Sequence, residues 1–260
     1  MIHRGDQNIA RVGTNNFENM YTSMPVREAN YNDAFQGYTS KITSHINNDL
    51  TRLMTEQEIE ESIFAVEPLK APGSDGFTGE FYQHFWSKIK GSIIQEVNNV
   101  FRENKLYENR NHTNLCLIPK VEALSPMGDF RPIALCNVSY KIISKILGNQ
   151  LKKHLRGVII DNQAAFVLGR MITDNIIMAH EVYYALKARK GRASSNMAIK
   201  TDITKAYDRL DWDFLEETMR RMGFDDKWIS WIMTCVTLVR HSVLINGASQ
   251  GHYKPERGIR

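Results

Sequence analysis

The stretch "AIKTDITKAYDRLDW" (198–212) carries Asp202 inside an apolar run, and Asp208 and Asp211 where the next helix is expected to begin. A carboxylate left unpaired on a buried strand is costly, so Asp202 needs a cation beside it. Divalent ions of the magnesium type bind carboxylate, carbonyl and phosphate oxygens. We therefore predict that Asp202 is a metal ligand; the alternative is that it pairs with a lysine or caps the following turn.

Two cations occupy positions from which they could bind a chain of phosphates. Lys120 follows Pro119, and Arg131 precedes Pro132. Each proline restricts the backbone beside it. Arginine binds phosphate oxygens through two parallel hydrogen bonds, and lysine adds a point charge. We predict a triphosphate site at these residues; the alternative is two ordinary surface cations.

The elements that must position these residues follow from the apolar patterns. Residues 113–120 and 129–137 predict the two strands of a hairpin, because a polar turn with proline and glycine separates them. Residues 197–203 alternate and predict a further strand, with Lys200 and Asp202 on one face. Helices are predicted at 82–101, 139–155, 174–190, 211–223 and from 225 on, and the capping box of Thr55 with Glu58 begins another. Helices and strands without a regular βαβ repeat predict an α+β fold.

Charge is concentrated in one part of the chain. Residues 101–156 hold ten Lys/Arg and four Asp/Glu, a net charge of +6, so the remainder sums to −2 within the total of +4. A basic segment in a chain that is otherwise nearly neutral indicates a surface for a polyanion, and the alternative is a solvated helix face.

Cysteine positions and hydropathy limit the classes of protein to which the chain can belong. Cys116, Cys136 and Cys235 lie far apart and in apolar runs, so we expect reduced core thiols and neither a zinc site nor a disulfide framework. The first 13 residues, "MIHRGDQNIARVG", contain no apolar segment, and no run of about 18 apolar residues occurs. We expect an intracellular protein without a signal peptide or transmembrane segment.

Other nucleotide and hydrolase patterns are excluded. The glycine-bearing stretch "KAPGSDG" (70–76) lacks the G-x-x-x-x-G-K-[ST] pattern of a phosphate-binding loop, and no predicted strand precedes it. No H-E-x-x-H motif occurs.

Five blocks carry a family resemblance: "KAPGSDGF", "LIPKVE…DFRPIALCNVSYKIISKIL", "NQAAFVLGRMITDN", "IKTDITKAYDRLDW" and "LINGASQG…RGIR". In this order and spacing they resemble the reverse transcriptase domain of non-LTR retrotransposons of the long interspersed type, particularly those of plants. The resemblance covers residues 55–260. It implies the fingers and partial palm of a right-hand polymerase, with the thumb absent and residues 1–54 as a poorly ordered N-terminal extension.

The resemblance also implies a reaction and its residues. RNA-templated DNA synthesis would use two divalent metal ions, Mg²⁺ or alternatively Mn²⁺, an RNA template, a DNA primer and deoxynucleoside triphosphates. Asp202 matches the first catalytic aspartate, and the Ile203 carbonyl would be a further metal ligand. Tyr207 matches the aromatic residue that rejects a 2′-hydroxyl, and Lys120 and Arg131 match the residues that grip the triphosphate. Nuclear residence is a family-level expectation, although no basic import cluster stands out.

The family's later block, of the form [FY]-x-D-D, does not occur in these residues. "GFDD" (223–226) departs from it, and we interpret Asp225 and Asp226 as helix-capping residues. One carboxylate cannot hold two metals in catalytic geometry, so we expect the chain to be C-terminally truncated and inactive as a polymerase by itself. One alternative is a non-catalytic nucleic-acid-binding remnant that uses the basic segment. A third possibility is an unstable fragment without a function.

Overall fold

The computed structural model describes residues 5–23, 31–107, 109–122, 127–188 and 197–260. They form two compact units: one contains the described residues up to Asn149 and those from Lys205 onward, and the other runs from Gln150 to Thr204. Most of the predicted hairpin turn before Met127 and the loop expected at 190–196 lie outside the described residues.

Helices make up most of the described secondary structure. In chain order they are α1 (Asp6–Tyr21), α2 (Tyr31–Ala34), α3 (Ser44–Thr51), α4 (Glu56–Phe64), α5 (Gly79–His84), α6 (Trp86–Glu103), α7 (Val138–Lys152), α8 (Leu155–Val158), α9 (Ile172–Ala188), α10 (Ala206–Arg209), α11 (Trp212–Met222) and α12 (Asp226–Thr237). Over the described ranges, no helix is both long and apolar enough to cross a membrane.

Local signals in the sequence set several helix ends. Thr55 and Glu58 form the predicted capping box at the start of α4. Asp211 and Asp225 accept hydrogen bonds from the first-turn amides of α11 and α12, at 3.0 and 2.8 Å. Gly223 ends α11 with a φ of 89°, a conformation that glycine adopts without steric cost. The prediction that the acids of "GFDD" begin a helix is confirmed.

The four strands are β1 (His112–Pro119), β2 (Phe130–Cys136), β3 (Arg240–Ile245) and β4 (Ala248–Tyr253), and they form one sheet in the order β2-β1-β3-β4. The pairs β1–β2 and β3–β4 are antiparallel, whereas β1 and β3 are parallel. Asn246 and Gly247 both have positive φ, as a two-residue hairpin turn requires. This mixed sheet with its helices confirms the α+β fold class.

The apolar face of the sheet is covered by α1. Leu115 of β1 is in register with Val243 of β3, and both pack with Phe17, Tyr21 and Tyr253 in one buried cluster. The expectation of poor order before residue 55 did not foresee this helix, because the segment is rich in asparagine and weakly periodic. The boundary between residues 54 and 55 stays a prediction.

The second unit buries far less of its apolar surface. None of the residues of α9 is buried, and Met197, Ile199 and Ile203 are each more than 70% exposed. The prediction of a strand at 197–203 is wrong, since these residues have no regular secondary structure. Alternation gives a segment two faces, but a strand also needs a neighbour to share its hydrogen bonds, and none of the described residues pairs with this one.

We expect Phe17→Ala to lower the free energy of unfolding by about 3–5 kcal/mol, because it removes a fully buried ring from the cluster on the sheet. Urea unfolding followed by tryptophan fluorescence measures the change. Ile9→Ala, at an exposed position of the same helix, is the control and should change stability by less than about 0.5 kcal/mol. Equal effects would contradict the docking of α1.

Candidate active site

Lys120 and Arg131 lie at the turn end of the β1–β2 hairpin. Ile118 of β1 pairs with Arg131 of β2, so their side chains lie on the same face of the sheet. Lys120 comes two residues after Ile118 and is therefore a diagonal neighbour of Arg131 on that face. The Lys120 amide donates to the Asp129 carbonyl at 2.8 Å and its Nζ donates to the Gly128 carbonyl at 2.9 Å. Both cations are exposed. The predicted hairpin is confirmed, and a role in binding phosphate stays a prediction.

Tyr207 lies on α10, a helix of four residues in the same unit. Lys205, two residues before Tyr207, has a φ of 56°, so the chain turns sharply before the helix. The Tyr207 carbonyl accepts a hydrogen bond from the Ile259 amide at 2.8 Å. Its side chain is 56% exposed, which leaves the ring accessible to a bound molecule.

A pocket of about 390 Å³ joins these elements. Tyr207 lines it together with Pro132 and Ile133 of β2, the two residues that follow Arg131. Most of the lining is apolar or aromatic, and the polar side chains include Asp208, His241 and Arg260. A largely apolar pocket with a few convergent polar groups is typical of a small-molecule site.

His241 is a strongly perturbed titratable group in the pocket wall. It is 4% exposed, and neither ring nitrogen has a hydrogen-bond partner among the described residues. Burial lowers the pKa of His241 to about 3, and the nearby positive charge of Arg260 acts in the same direction. The imidazole is therefore neutral at physiological pH and offers one donor and one acceptor.

Arg260, in the segment after β4, contacts the first residues of β1 and their neighbours. It donates hydrogen bonds to the side chains of Asn111 and Thr113, and its guanidinium lies 4.5 Å from the centroid of the Tyr140 ring. Cys235, in the same wall, is a free thiol whose pKa burial raises to about 12, so it stays protonated. All three cysteines are free, as the sequence predicted.

The other aspartates considered in the sequence analysis have structural partners. Asp208 accepts a hydrogen bond from the Tyr21 hydroxyl at 2.7 Å, a contact that sequence reasoning did not anticipate. Asp211 caps α11, at the predicted start of that helix. Asp225 caps α12, and Asp226 accepts from Arg220 at 2.9 Å.

Asp202 and Ile203 lie in the second unit, in the exposed segment that follows α9. The expectation that Asp202 is a buried strand residue is wrong, since Asp202 is exposed. An exposed carboxylate remains hydrated and needs no cation beside it. Its oxygens are still of the type that hard cations prefer. The described residues nevertheless contain no group of three or more His, Cys, Asp or Glu that could hold a metal ion, so a metal site is not assembled within them.

Three residues of the site were missed: Tyr21, His241 and Arg260. Arg260 belongs to the block "RGIR", but nothing in that block indicates what its side chain contacts. Tyr21 and its partner Asp208 are 187 residues apart, and His241 lies in a strand in which three consecutive residues are buried. No local pattern marks such contacts.

Comparison with known proteins adds a family. The family model described as "Reverse transcriptase (RNA-dependent DNA polymerase)" matches residues 118–260, more than half of the chain. The chain is 25% identical over 244 residues to an uncharacterized 149 kDa protein of transposon TX1 from Xenopus laevis. It is 22% identical over 223 residues to the retrovirus-related Pol polyprotein of the type-1 retrotransposable element R2 from Nasonia vitripennis.

The coverage of these relatives is unequal. The alignments include 94% and 85% of this chain but only 18% and 20% of the two relatives. The chain therefore spans about a fifth of the length of the curated relatives it matches.

We expect the stability of the protein to fall with acidification below pH 6.5, in part through His241. The unfolded state takes up a proton near pH 6.5, whereas the buried imidazole does so only near pH 3. Between these values His241 should cost about 1.4 kcal/mol of stability per pH unit, or about 2 kcal/mol from pH 6.5 to pH 5.

Urea unfolding at pH 5.0, 5.5, 6.0 and 6.5 measures this slope. His241→Gln should remove that part of it, whatever its effect on absolute stability. His45→Gln, at an exposed histidine, is the control and should keep the wild-type slope. Identical slopes in all three proteins would refute a buried neutral His241.

Proposed function

Because the chain belongs to the reverse transcriptase (RNA-dependent DNA polymerase) family, we propose that it supplies the fingers and part of the palm of an RNA-directed DNA polymerase of a non-LTR retrotransposon. The names of both relatives, a transposon protein and a retrotransposable-element polyprotein, support the source of the domain. An element of the plant type is supported by the quoted sequence blocks alone.

The proposed substrate is a deoxynucleoside triphosphate, bound at the turn end of the β1–β2 hairpin. The observation that supports this proposal is the shared pocket of α10 and β2, which Tyr207 lines together with the two residues that directly follow Arg131. Lys120 and Arg131 would bind the phosphates through charge-assisted hydrogen bonds. The Tyr207 ring would lie against the sugar, where its bulk disfavours a 2′-hydroxyl.

The proposed partners are an RNA template and a DNA primer. The basic segment 101–156 supports this, since its excess of ten cations over four acids includes exposed residues of α7 such as Lys145. Phosphate contacts of this kind give an affinity that falls steeply as salt is added.

A requirement for divalent metal ions is general in the family, and we propose Mg²⁺, with Mn²⁺ as the alternative. When bound, two ions would align the primer hydroxyl and the triphosphate. Asp202 and the Ile203 carbonyl are the proposed ligands within this chain, on the strength of their oxygen donors. They do not make a complete site by themselves, because the part of the chain that the structure describes contains no group of three or more His, Cys, Asp or Glu that could hold a metal ion.

A second candidate function is a nucleic-acid-binding remnant without catalysis. The exposure of Asp202 and the lack of a ligand cluster among the described residues favour it. The two functions differ in triphosphate recognition, which a remnant has no need to retain.

We expect Lys120→Ala and Arg131→Ala each to weaken binding of a fluorescent deoxynucleoside triphosphate about tenfold, the loss expected for one charge-assisted contact. RNA binding should fall less than about threefold, since each change removes one phosphate contact among several. Fluorescence anisotropy at fixed salt measures both affinities. Lys145→Ala is the control and should affect RNA only. Equal loss of both ligands in all three variants would indicate a generic basic patch.

We expect the purified 260-residue polypeptide to give no templated product in a primer-extension assay with an RNA template and Mg²⁺ or Mn²⁺. One carboxylate in place of a full ligand set forfeits most of the electrostatic stabilisation of the transition state. Asp202→Asn, compared at equal concentration, reports any background. Template-dependent DNA synthesis that disappears in Asp202→Asn would overturn this expectation and establish Asp202 as catalytic.

A further inference from the structure

The helix that carries Tyr207 cannot hold its own position. α10 is a single turn of four residues, and no side chain caps its N-terminus. An isolated turn of helix is not stable in water, since its one or two hydrogen bonds do not offset the cost of fixing the backbone. Its orientation therefore depends on what packs against it.

On one side, the end of α1 contacts α10 through two side chains. The Tyr21 hydroxyl donates to Asp208 Oδ1 at 2.7 Å, and the Lys205 ammonium lies 3.3 Å from the sulfur of Met20. Tyr21 is 6% exposed, and its ring belongs to the buried cluster on the sheet. One residue thus joins the core of the first unit to the helix that carries Tyr207.

On the other side, the segment after β4 closes over α10. Gly258 donates its amide to the Leu210 carbonyl at 2.7 Å, beside the bond from Ile259 to Tyr207. Gly258 has a φ of 88°, and a Cβ atom there would lie 2.8 Å from the Asp208 carbonyl oxygen and 3.0 Å from the Tyr21 ring. The three residues are packed so closely that a shift of one must be shared by the others.

We propose that Tyr21 is a positioning residue for α10, and that its hydrogen bond to Asp208 fixes the place of the Tyr207 ring and so the selection of deoxy- over ribonucleotides. The selectivity part rests on the proposed function, whereas the positioning part stands on the contacts alone. The donor is a phenol whose partner is a charged carboxylate, and such bonds are among the stronger ones in proteins. Burial and the adjacent Asp208 raise the pKa of Tyr21, which keeps the hydroxyl protonated as a donor.

The first experiment compares Tyr21→Phe with Tyr253→Phe in the full chain. Both changes remove one hydroxyl and keep a ring of the same cluster, but the Tyr253 hydroxyl has no hydrogen-bond partner in the described ranges. Hydrogen–deuterium exchange is read at the amides of Arg209, Gly258 and Ile259, with Val243 in β3 as the internal reference. Tyr21→Phe should speed exchange at those three amides about tenfold, and Tyr253→Phe should leave them unchanged.

A second pair of variants acts from the other partner, without touching the core. Asp208→Asn keeps a neutral acceptor oxygen for the Tyr21 hydroxyl and should give exchange rates between those of the wild type and those of Asp208→Ala. Asp208→Ala removes the acceptor and should match Tyr21→Phe. Equal exchange in Tyr21→Phe and Tyr253→Phe, or in Asp208→Asn and Asp208→Ala, would overturn the positioning role.

The selectivity part is tested by the ratio of affinities for a deoxynucleoside and a ribonucleoside triphosphate of the same base. This ratio should fall several-fold in Tyr21→Phe and not in Tyr253→Phe. An unchanged ratio beside faster exchange would overturn the link to selectivity. If the wild-type chain binds neither triphosphate while the exchange result holds, the proposed function fails and the positioning role of Tyr21 stands.

Discussion

The parallel pairing of β1 with β3 is the constraint on which the first unit depends. It places Leu115 beside Val243 at the centre of the sheet, where both side chains are fully buried. β1 also pairs with β2 and β3 with β4, so the central pairing joins the two hairpins into one sheet. Parallel strands need a long crossover between them. The buried face of the sheet is covered by α1, an element from elsewhere in the chain, through Phe17.

The residues proposed to bind a nucleotide lie on short pieces at the edge of this frame. Lys120 stands just beyond a strand end, and Tyr207 stands on a single helical turn. Neither piece has enough internal hydrogen bonds to be rigid by itself. Their geometry is set by neighbours: the turn of the hairpin for Lys120, and the hydrogen bonds of Tyr21 and Ile259 for α10. Precision at such a site comes from packing around it.

The second unit shows what an apolar pattern leaves open. Its segment 197–203 has the alternation of a strand, and α9 contains three isoleucines and two tyrosines, yet both are exposed. The hydrophobic effect favours the burial of these side chains but does not choose the surface that covers them. Asp202 shares this exposure, so the chemistry proposed for it rests on its type and on the family rather than on a shaped environment.

The sequence by itself determined the features that depend on neighbours within a few residues. These are the capping box at Thr55, the start of α11 at residue 211, the β1–β2 hairpin and the types of side chain at positions 120, 131, 202 and 207. Each is fixed by backbone conformation and one or two local hydrogen bonds, which a short window of sequence contains.

Only the tertiary structure decided that α1 covers the sheet, that His241 is buried without charge, that Tyr21 reaches Asp208 and that 197–203 is not a strand. The first three depend on contacts between residues far apart in the chain, and the fourth on whether a partner strand is available. Such contacts follow from the packing of whole elements, whose free energy is shared among many weak interactions. No single residue contributes enough of that free energy for a local sequence pattern to predict the contact.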